Sequence, residues 1–298
     1  MVFWMSLVSL VKVRNNTTSL QQSIQDSLNL IQFRFDAKVN KIVIKPNLCY
    51  YWDSSTGETT DQKLVGALID VVRENRNDSV DISIVESDAS AMRCKYAFRM
   101  LGYEKMADDK KVKLVNLTND SIQNMNVAVH NRSFRLSLPR CIAEADLFIN
   151  VPKMKYMAGT KFSGALKNIF GCNPYPKKYR YHKWLDEVIV GLNKIMKPDL
   201  CLMDGLVVRG TRPQKLGLLM AGADPVALDV SAARIVGINP RSIRHISLAS
   251  TEGIGSLKYI NVGEDLSKFA KLFPKKDAKY KTWGFIAKVY SRLVARFN

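Results

Sequence analysis

Apolar and polar positions along the chain alternate between two rhythms. Ser6 to Val13 alternates residue by residue and predicts a first strand, after which Ser19 is placed to cap a helix carrying Leu20, Ile24, Leu28 and Ile31 on one face. Lys41 to Ile44 is a short apolar strand ended by Lys45-Pro46-Asn47. Asp61 opens a second helix with Leu64, Leu68, Val71 and Val72 inward. Val80 to Val85 predicts a strand ending in Glu86-Ser87-Asp88, a third helix closes at Gly102, and a strand follows around Val112 to Leu117. Asn126 to Leu138 has the pattern of a hairpin turning at Asn131-Arg132. A buried strand runs from Asp146 to Asn150, a helix carries Trp184, Leu185, Val188, Leu192 and Ile195, and Asp199 to Met203 is a strand ending at Asp204-Gly205. Leu218 to Ala221 is a further strand, and Asp224-Pro225 opens a helix that runs to Gly237, with Asp as cap and Pro in the first turn.

Strands and helices taking turns with short connections predict an α/β fold: a largely parallel sheet flanked by helices, with an antiparallel hairpin insertion, built as one large domain or as two lobes. Ligands in such sheets sit beyond the carboxyl ends of the strands. Polar residues recur at those ends: Lys45 and Asn47, Glu86 and Asp88, Lys153 and Lys155, Asp204. The segment from Val151 to His182 concentrates the signal, because it is interrupted by glycines and carries lysines and an arginine with no acid. It is expected to be a loop that changes direction at Gly159, followed by a short helix starting near Ser163. Lysines crowding a helix start after a strand suit an anion; a solvated basic loop is the plain alternative.

Composition narrows this picture. A chain of 298 residues with 47% apolar content can bury a sizeable core. No apolar run reaches the length of a membrane span, and the start, MVFWMSLVSLVKV, lacks the basic region and small-residue cleavage site of a signal peptide. Five cysteines without a CxxC pair argue against a disulfide framework and against a thiolate metal site, so the chain is expected to be cytoplasmic. The net charge of +18 comes mostly from residues 151–215 and 266–298. Such a field concentrates nucleotides, nucleic acid or acidic lipid headgroups without choosing among them. The chain divides at that second region: residues 1–265 as the α/β domain, and residues 266–298 as a basic tail whose Lys288, Arg292 and Arg296 line one face of an amphipathic helix. The tail can pack on the core, lie on an acidic membrane surface, or bind RNA. No DNA-specific motif is present.

Candidate chemistry follows from single residues. No G-x-G-x-x-G follows the early strands and no G-x-x-x-x-G-K-[ST] occurs, so dinucleotide and P-loop chemistry is not expected. Lys167 could neutralise a phosphate or carboxylate, or attack a carbonyl carbon if its pKa were lowered; otherwise it is a surface lysine. His182, among Tyr179, Tyr181 and Trp184, could carry a proton near neutral pH or could simply pack. His130 and His245 have the setting of surface or structural residues, and three scattered histidines do not make a zinc site. Cys172 is a nucleophile or a small buried filler. Asp224 is a cap, Asp229 inside an apolar helix must be paired or face a cavity, and Asp204 is the preferred carboxylate partner for the lysines.

These residues recur together in one family. Ile44-Lys45-Pro46-Asn47, Thr59-Thr60, Asn150-Val151-Pro152-Lys153-Met154-Lys155, Gly164-Ala165-Leu166-Lys167-Asn168 with Gly171, His182, Asp204-Gly205 and Ala223-Asp224-Pro225-Val226-Ala227-Leu228-Asp229 resemble the domain-of-unknown-function 362 family over roughly Lys41 to Gly255. The resemblance implies a fold region and a site but no settled reaction. Many members carry clustered cysteines for iron–sulfur clusters, which would imply a redox partnership; this chain has no such spacing. Members often show Lys-Thr-His where this chain has Lys155-Tyr156-Met157. A more distant likeness is to nickel-pincer lactate racemases, in which a lysine tethers a nucleotide cofactor and histidines flank the metal. On that analogy Lys167 and His182 correspond, while Met157 offers a thioether where nickel takes imidazole.

The resulting expectation is an enzyme or enzyme-like protein holding a small anion at the strand ends. Lys167, His182 and Asp204 would do the chemistry, and Lys45, Asn47, Lys153, Lys155, Asn168 and Asp229 would hold the ligand. The motifs name no cofactor and no metal set.

Overall fold

The computed structural model describes residues 5–13, 17–76 and 80–274. Its strands are β1 (Ser6–Lys12), β2 (Lys41–Pro46), β3 (Asp81–Glu86), β4 (Lys113–Asn116), β5 (Ile122–Val129), β6 (Arg132–Pro139), β7 (Leu147–Val151), β8 (Lys153–Met157), β9 (Lys161–Ser163), β10 (Leu200–Arg209), β11 (Pro213–Gly222) and β12 (Tyr259–Gly263). The helices are α1 (Thr17–Leu30), α2 (Gln62–Arg76), α3 (Cys94–Met100), α4 (Tyr103–Asp109), α5 (Arg140–Ala143), α6 (Ala165–Ile169), α7 (Leu185–Ile195), α8 (Pro225–Val236), α9 (Arg244–Thr251) and α10 (Leu266–Leu272).

One mixed, mostly parallel sheet runs in the order β12-β1-β11-β10-β7-β2-β3-β4, with β8 and β9 attached beside β10. Strand pleating assigns alternate side chains to its two faces. Ile42, Ile44, Ile82, Ile84, Leu147 and Ile149 pack with α1, α2, α3 and α4 on one side. Val43, Val85, Phe148, Cys201 and Met203 pack with α6, α7 and α8 on the other. The predicted hairpin is β5–β6, a separate two-stranded ribbon whose Val127, Val129 and Leu136 join this second core. Helix starts follow local chemistry. The Asp61 carboxylate accepts from the Lys63 amide at 2.9 Å, and the Asp224 carboxylate accepts from Val226 and Ala227 at 2.9 and 3.0 Å.

Three expectations are corrected. The basic segment after β7 does reverse at Gly159, but its arms are strands and not loop: Lys155, Tyr156 and Met157 pair antiparallel with Ser163, Phe162 and Lys161, which makes a small hairpin before α6. The strand beginning near Asp199 does not end at Asp204-Gly205. It continues to Arg209 because β11 turns back and pairs with it through Val207, Val208 and Arg209, with a register shift between Gly205 and Val207. Asp204 therefore lies in mid-strand. The first helix starts at Thr17, ahead of Ser19. In the region taken as a tail, α10 places Phe269 and the following Phe273 in the core, while the Lys288, Arg292 and Arg296 stripe lies outside the described residues. Among the described residues no helix is long and apolar enough to cross a membrane.

The order of strands fixes where a ligand would go. From β2 the chain steps through β3 to β4 on one side of the sheet, whereas β7 and then β10 lie on the other. The reversal falls between β2 and β7, and in open α/β sheets a crevice opens outside the carboxyl ends at such a point.

Candidate active site: a lysine-lined pocket at the strand ends

A pocket of about 580 Å³ opens at that point. It is lined from β2 and its following loop by Lys45, Asn47, Cys49 and Tyr50, from the end of β3 by Glu86 and Ser87, and from β8 by Lys155 and Met157. Lys167 and Asn168 come from α6, and Lys178, Tyr179 and His182 from the 3-10 helical segment Lys178–Trp184. A volume of this size suits a small molecule.

The motif residues build the frame of this pocket. Thr60 braces the ends of β2 and β7: its hydroxyl donates to Val151 O at 2.9 Å and accepts from Asn47 N at 2.9 Å. Asn168 donates to Asn150 Oδ1 at 2.7 Å and to Lys45 O at 3.2 Å, while Asn150 donates to Ala165 O at 3.0 Å. These bonds fasten α6 to the strand ends and so aim Lys167. Asp229, buried in α8, accepts from the first two amides of α6, Ala165 N at 2.6 Å and Leu166 N at 3.0 Å. Burial pushes its carboxyl up to about 7 despite those donors. Its task is to anchor α6, and it is absent from the pocket lining. Gly164 allows the close approach, because a Cβ there would lie 2.2 Å from Asp229 Oδ1 and 2.5 Å from the Phe162 ring.

The lysines divide into three kinds. Lys45 is fully buried and donates to Glu86 Oε2 at 2.7 Å and to Pro46 O at 2.6 Å. Lys155 donates to Glu58 O at 2.7 Å and lies 3.3 Å from Glu58 Oε2, a carboxylate whose other oxygen is 3.7 Å from Arg209 Nε. Lys153 also meets a carboxylate, Asp204 Oδ2 at 2.9 Å, but both side chains are wholly buried beside the pocket and neither lines it. Asp204 further accepts from Asp61 N at 2.8 Å and Leu206 N at 2.9 Å, so it ties α2, β8 and β10 together.

Lys178 belongs to the second kind. It donates to Ser87 Oγ at 2.5 Å and Asp88 O at 2.8 Å, both neutral oxygens, and burial lowers its pKa. Lys167 is the third. Its ammonium makes no hydrogen bond or ion pair among the described residues, and desolvation followed by repulsion from Lys155 lowers its pKa to about 8. His182 is lowered by partial burial and by the Lys167 charge, so its imidazole is neutral near pH 7. The buried side-chain oxygens of Asn47 and Asn168 also lack a hydrogen bond.

Of the residues expected in the site, the structure brings Lys45, Asn47, Lys155, Asn168, Lys167 and His182 to one cavity, and sets Lys153, Asp204 and Asp229 in the scaffold around it. Sequence reasoning missed Lys178, Cys49 and Tyr179 as lining residues and Glu86 as the partner of Lys45. Glu86 was visible as a polar strand end; Lys178 had no local signal beyond the basic segment it lies in. Cys172 is a buried filler whose thiol burial raises to about 12. His245 is wholly buried, with Nδ1 3.1 Å from Asp186 Oδ1. Among the described residues no three His, Cys, Asp or Glu side chains gather to hold a metal. Met157 and His182 both line the pocket, and a thioether beside one imidazole is a donor set that does not suit a nickel-pincer group.

The chain is 31% identical over 133 residues to a thylakoid-associated protein of Synechocystis sp., a match covering 40% of this chain and 41% of that protein. The lactate racemase apoprotein from Thermoanaerobacterium thermosaccharolyticum superposes at a TM-score of 0.45, with 13% identity over 80% of this chain and 58% of that one. A protein from Thermotoga maritima gives 0.42 with 11% identity, over 79% of this chain and 58% of that one. The chain thus matches about two fifths of the length of the curated relative and under two thirds of each solved structure. The family model described as a domain of unknown function (DUF362) matches residues 42–234, the stretch that supplies every lining residue of the pocket, and the chain belongs to that family.

Proposed function

We propose that the protein is an enzyme or enzyme-like protein whose pocket holds a small anion bearing carboxylate or phosphate groups, with Lys167 and His182 acting on it. The charge balance of the lining carries this reading. Lys45, Lys155, Lys167 and Lys178 line the pocket with one carboxylate, Glu86, which is already bound to Lys45. Lys155 draws on Glu58 from outside the lining. Lys167 and Lys178 are left without counter-charge, and an uncompensated cation in a desolvated site is costly until an anion arrives. The free oxygens of Asn47 and Asn168 would accept from a ligand hydroxyl.

Calorimetric titration with oxalate, inorganic phosphate and pyruvate tests the reading. At low ionic strength at least one of these anions is expected to bind the wild-type protein, with binding that weakens as salt rises. Lys167→Met is expected to lose about tenfold or more in affinity, roughly 1.4 kcal/mol. Equal affinity of variant and wild type would remove Lys167 from the site. A second reading, attachment to an acidic membrane surface, is favoured by the basic balance of residues 266–298 and by the thylakoid association of the Synechocystis relative. Full-length protein with Lys288, Arg292 and Arg296 all changed to Glu should then fail to sediment with phosphatidylglycerol vesicles; unchanged sedimentation would discard that reading.

A further inference from the structure

We propose that Lys167 forms an imine with the carbonyl carbon of a small oxo acid or oxo phosphate whose anionic group is held by Lys155 and Lys178. This deepens the anion-site reading and rests on it. The distinguishing observation is a contrast among the lysines at this end of the sheet. Lys45, Lys153, Lys155 and Lys178 each meet fixed oxygens at 2.5–3.3 Å, which pins the nitrogen in its charged form while leaving Lys155 and Lys178 at least one of three N–H donors for an anion. Lys167 meets none among the described residues, although it lines the same cavity. A lysine whose task was to hold charge would be pinned like its neighbours; a nucleophile must keep its lone pair free.

The surroundings favour the neutral amine. The charged groups that reach Lys167 are Lys155 on β8, Glu58 in the turn before α2, Cys49 after β2, His182 before α7 and His245 on α9. Burial and Lys155 outweigh Glu58 and Cys49, leaving a pKa of about 8. Against an ordinary lysine this raises the free amine at neutral pH by about 300-fold. The Lys167 nitrogen adds to the carbonyl carbon as the carbonyl π pair moves to oxygen, giving a carbinolamine. His182, neutral near pH 7, passes one proton from nitrogen to the alkoxide oxygen to complete the carbinolamine, and then a second from nitrogen to the departing hydroxyl. Water leaves as the C=N bond forms, so no oxidant or further reactant is required.

The test is to incubate the full-length protein with pyruvate at pH 7.5, reduce with sodium borohydride, and map the adducts by peptide mass spectrometry, beside a calorimetric titration with oxalate. The expected result is an adduct at Lys167 at least about tenfold above that at any other lysine, following the excess of free amine, and lost when oxalate is added. Lys167→Arg keeps the charge and cannot form an imine. It is expected to bind oxalate and to show no adduct above the surface background. Adducts spread evenly over surface lysines, or none at Lys167 while oxalate still binds, would overturn the imine and leave the anion site standing. Failure of oxalate, phosphate and pyruvate alike to bind would overturn both.

Discussion

Replacing Asp204 by alanine is expected to cost about 3–5 kcal/mol, enough to unfold a large share of a protein of ordinary stability. Lys153 and Asp204 are both wholly buried, so removing the carboxylate strands an ammonium that has no other partner among the described residues and frees the amides of Asp61 and Leu206. The buried pair is not itself a large source of stability, because desolvating two charges opposes their attraction. The double variant Lys153→Met with Asp204→Leu should therefore recover most of the loss. Urea unfolding of the two variants against wild type measures both effects. A loss under about 1 kcal/mol for Asp204→Ala would show that the pair is open to water.

The second large effect is expected at Gly164. Alanine there would drive its methyl group to 2.2 Å from Asp229 Oδ1 and 2.5 Å from Phe162. Gly164 is not in the left-handed region, its φ being −146°, and the obstacle is the close approach of α8 and β9. Asp229 must withdraw from the amides of Ala165 and Leu166, and α6 loses the anchor that aims Lys167 and Asn168. Overpacking with loss of buried hydrogen bonds amounts to roughly 2–4 kcal/mol. Thermal unfolding should show the loss, and oxalate affinity should fall with it. A variant of wild-type stability would mean that the first turn of α6 is free to shift.

The alternating rhythms made the central strands and the hairpin legible, because pleating dictates which residues enter the core. The strand ends of β2 and β7 were legible for the same reason: Lys45 and Asn47 follow an apolar run at its carboxyl end. Long-range pairing was not legible. Asp204 looked like a strand end since Gly205 follows it, yet antiparallel pairing with β11 carries the strand on to Arg209. Lys153 and Lys155 sit two residues apart on one strand and have the same local signal. One is consumed by a carboxylate from β10 and the other reaches the pocket. Lys178 enters the site through Ser87 and Asp88, some ninety residues earlier in the chain, a contact that no local spacing announces.

The imine and the anion site both depend on Lys167 being an unpinned, partly deprotonated amine in a shared cavity. Limiting acetylation with acetic anhydride across a pH series, read lysine by lysine by mass spectrometry with and without oxalate, tests this most directly. Lys167 is expected to label faster than exposed Lys161 at pH 7.5, to level off above a pH of about 8, and to be shielded by oxalate together with Lys155 and Lys178. Labelling of Lys167 that tracks Lys161 through the whole series, with no shielding, would contradict the account.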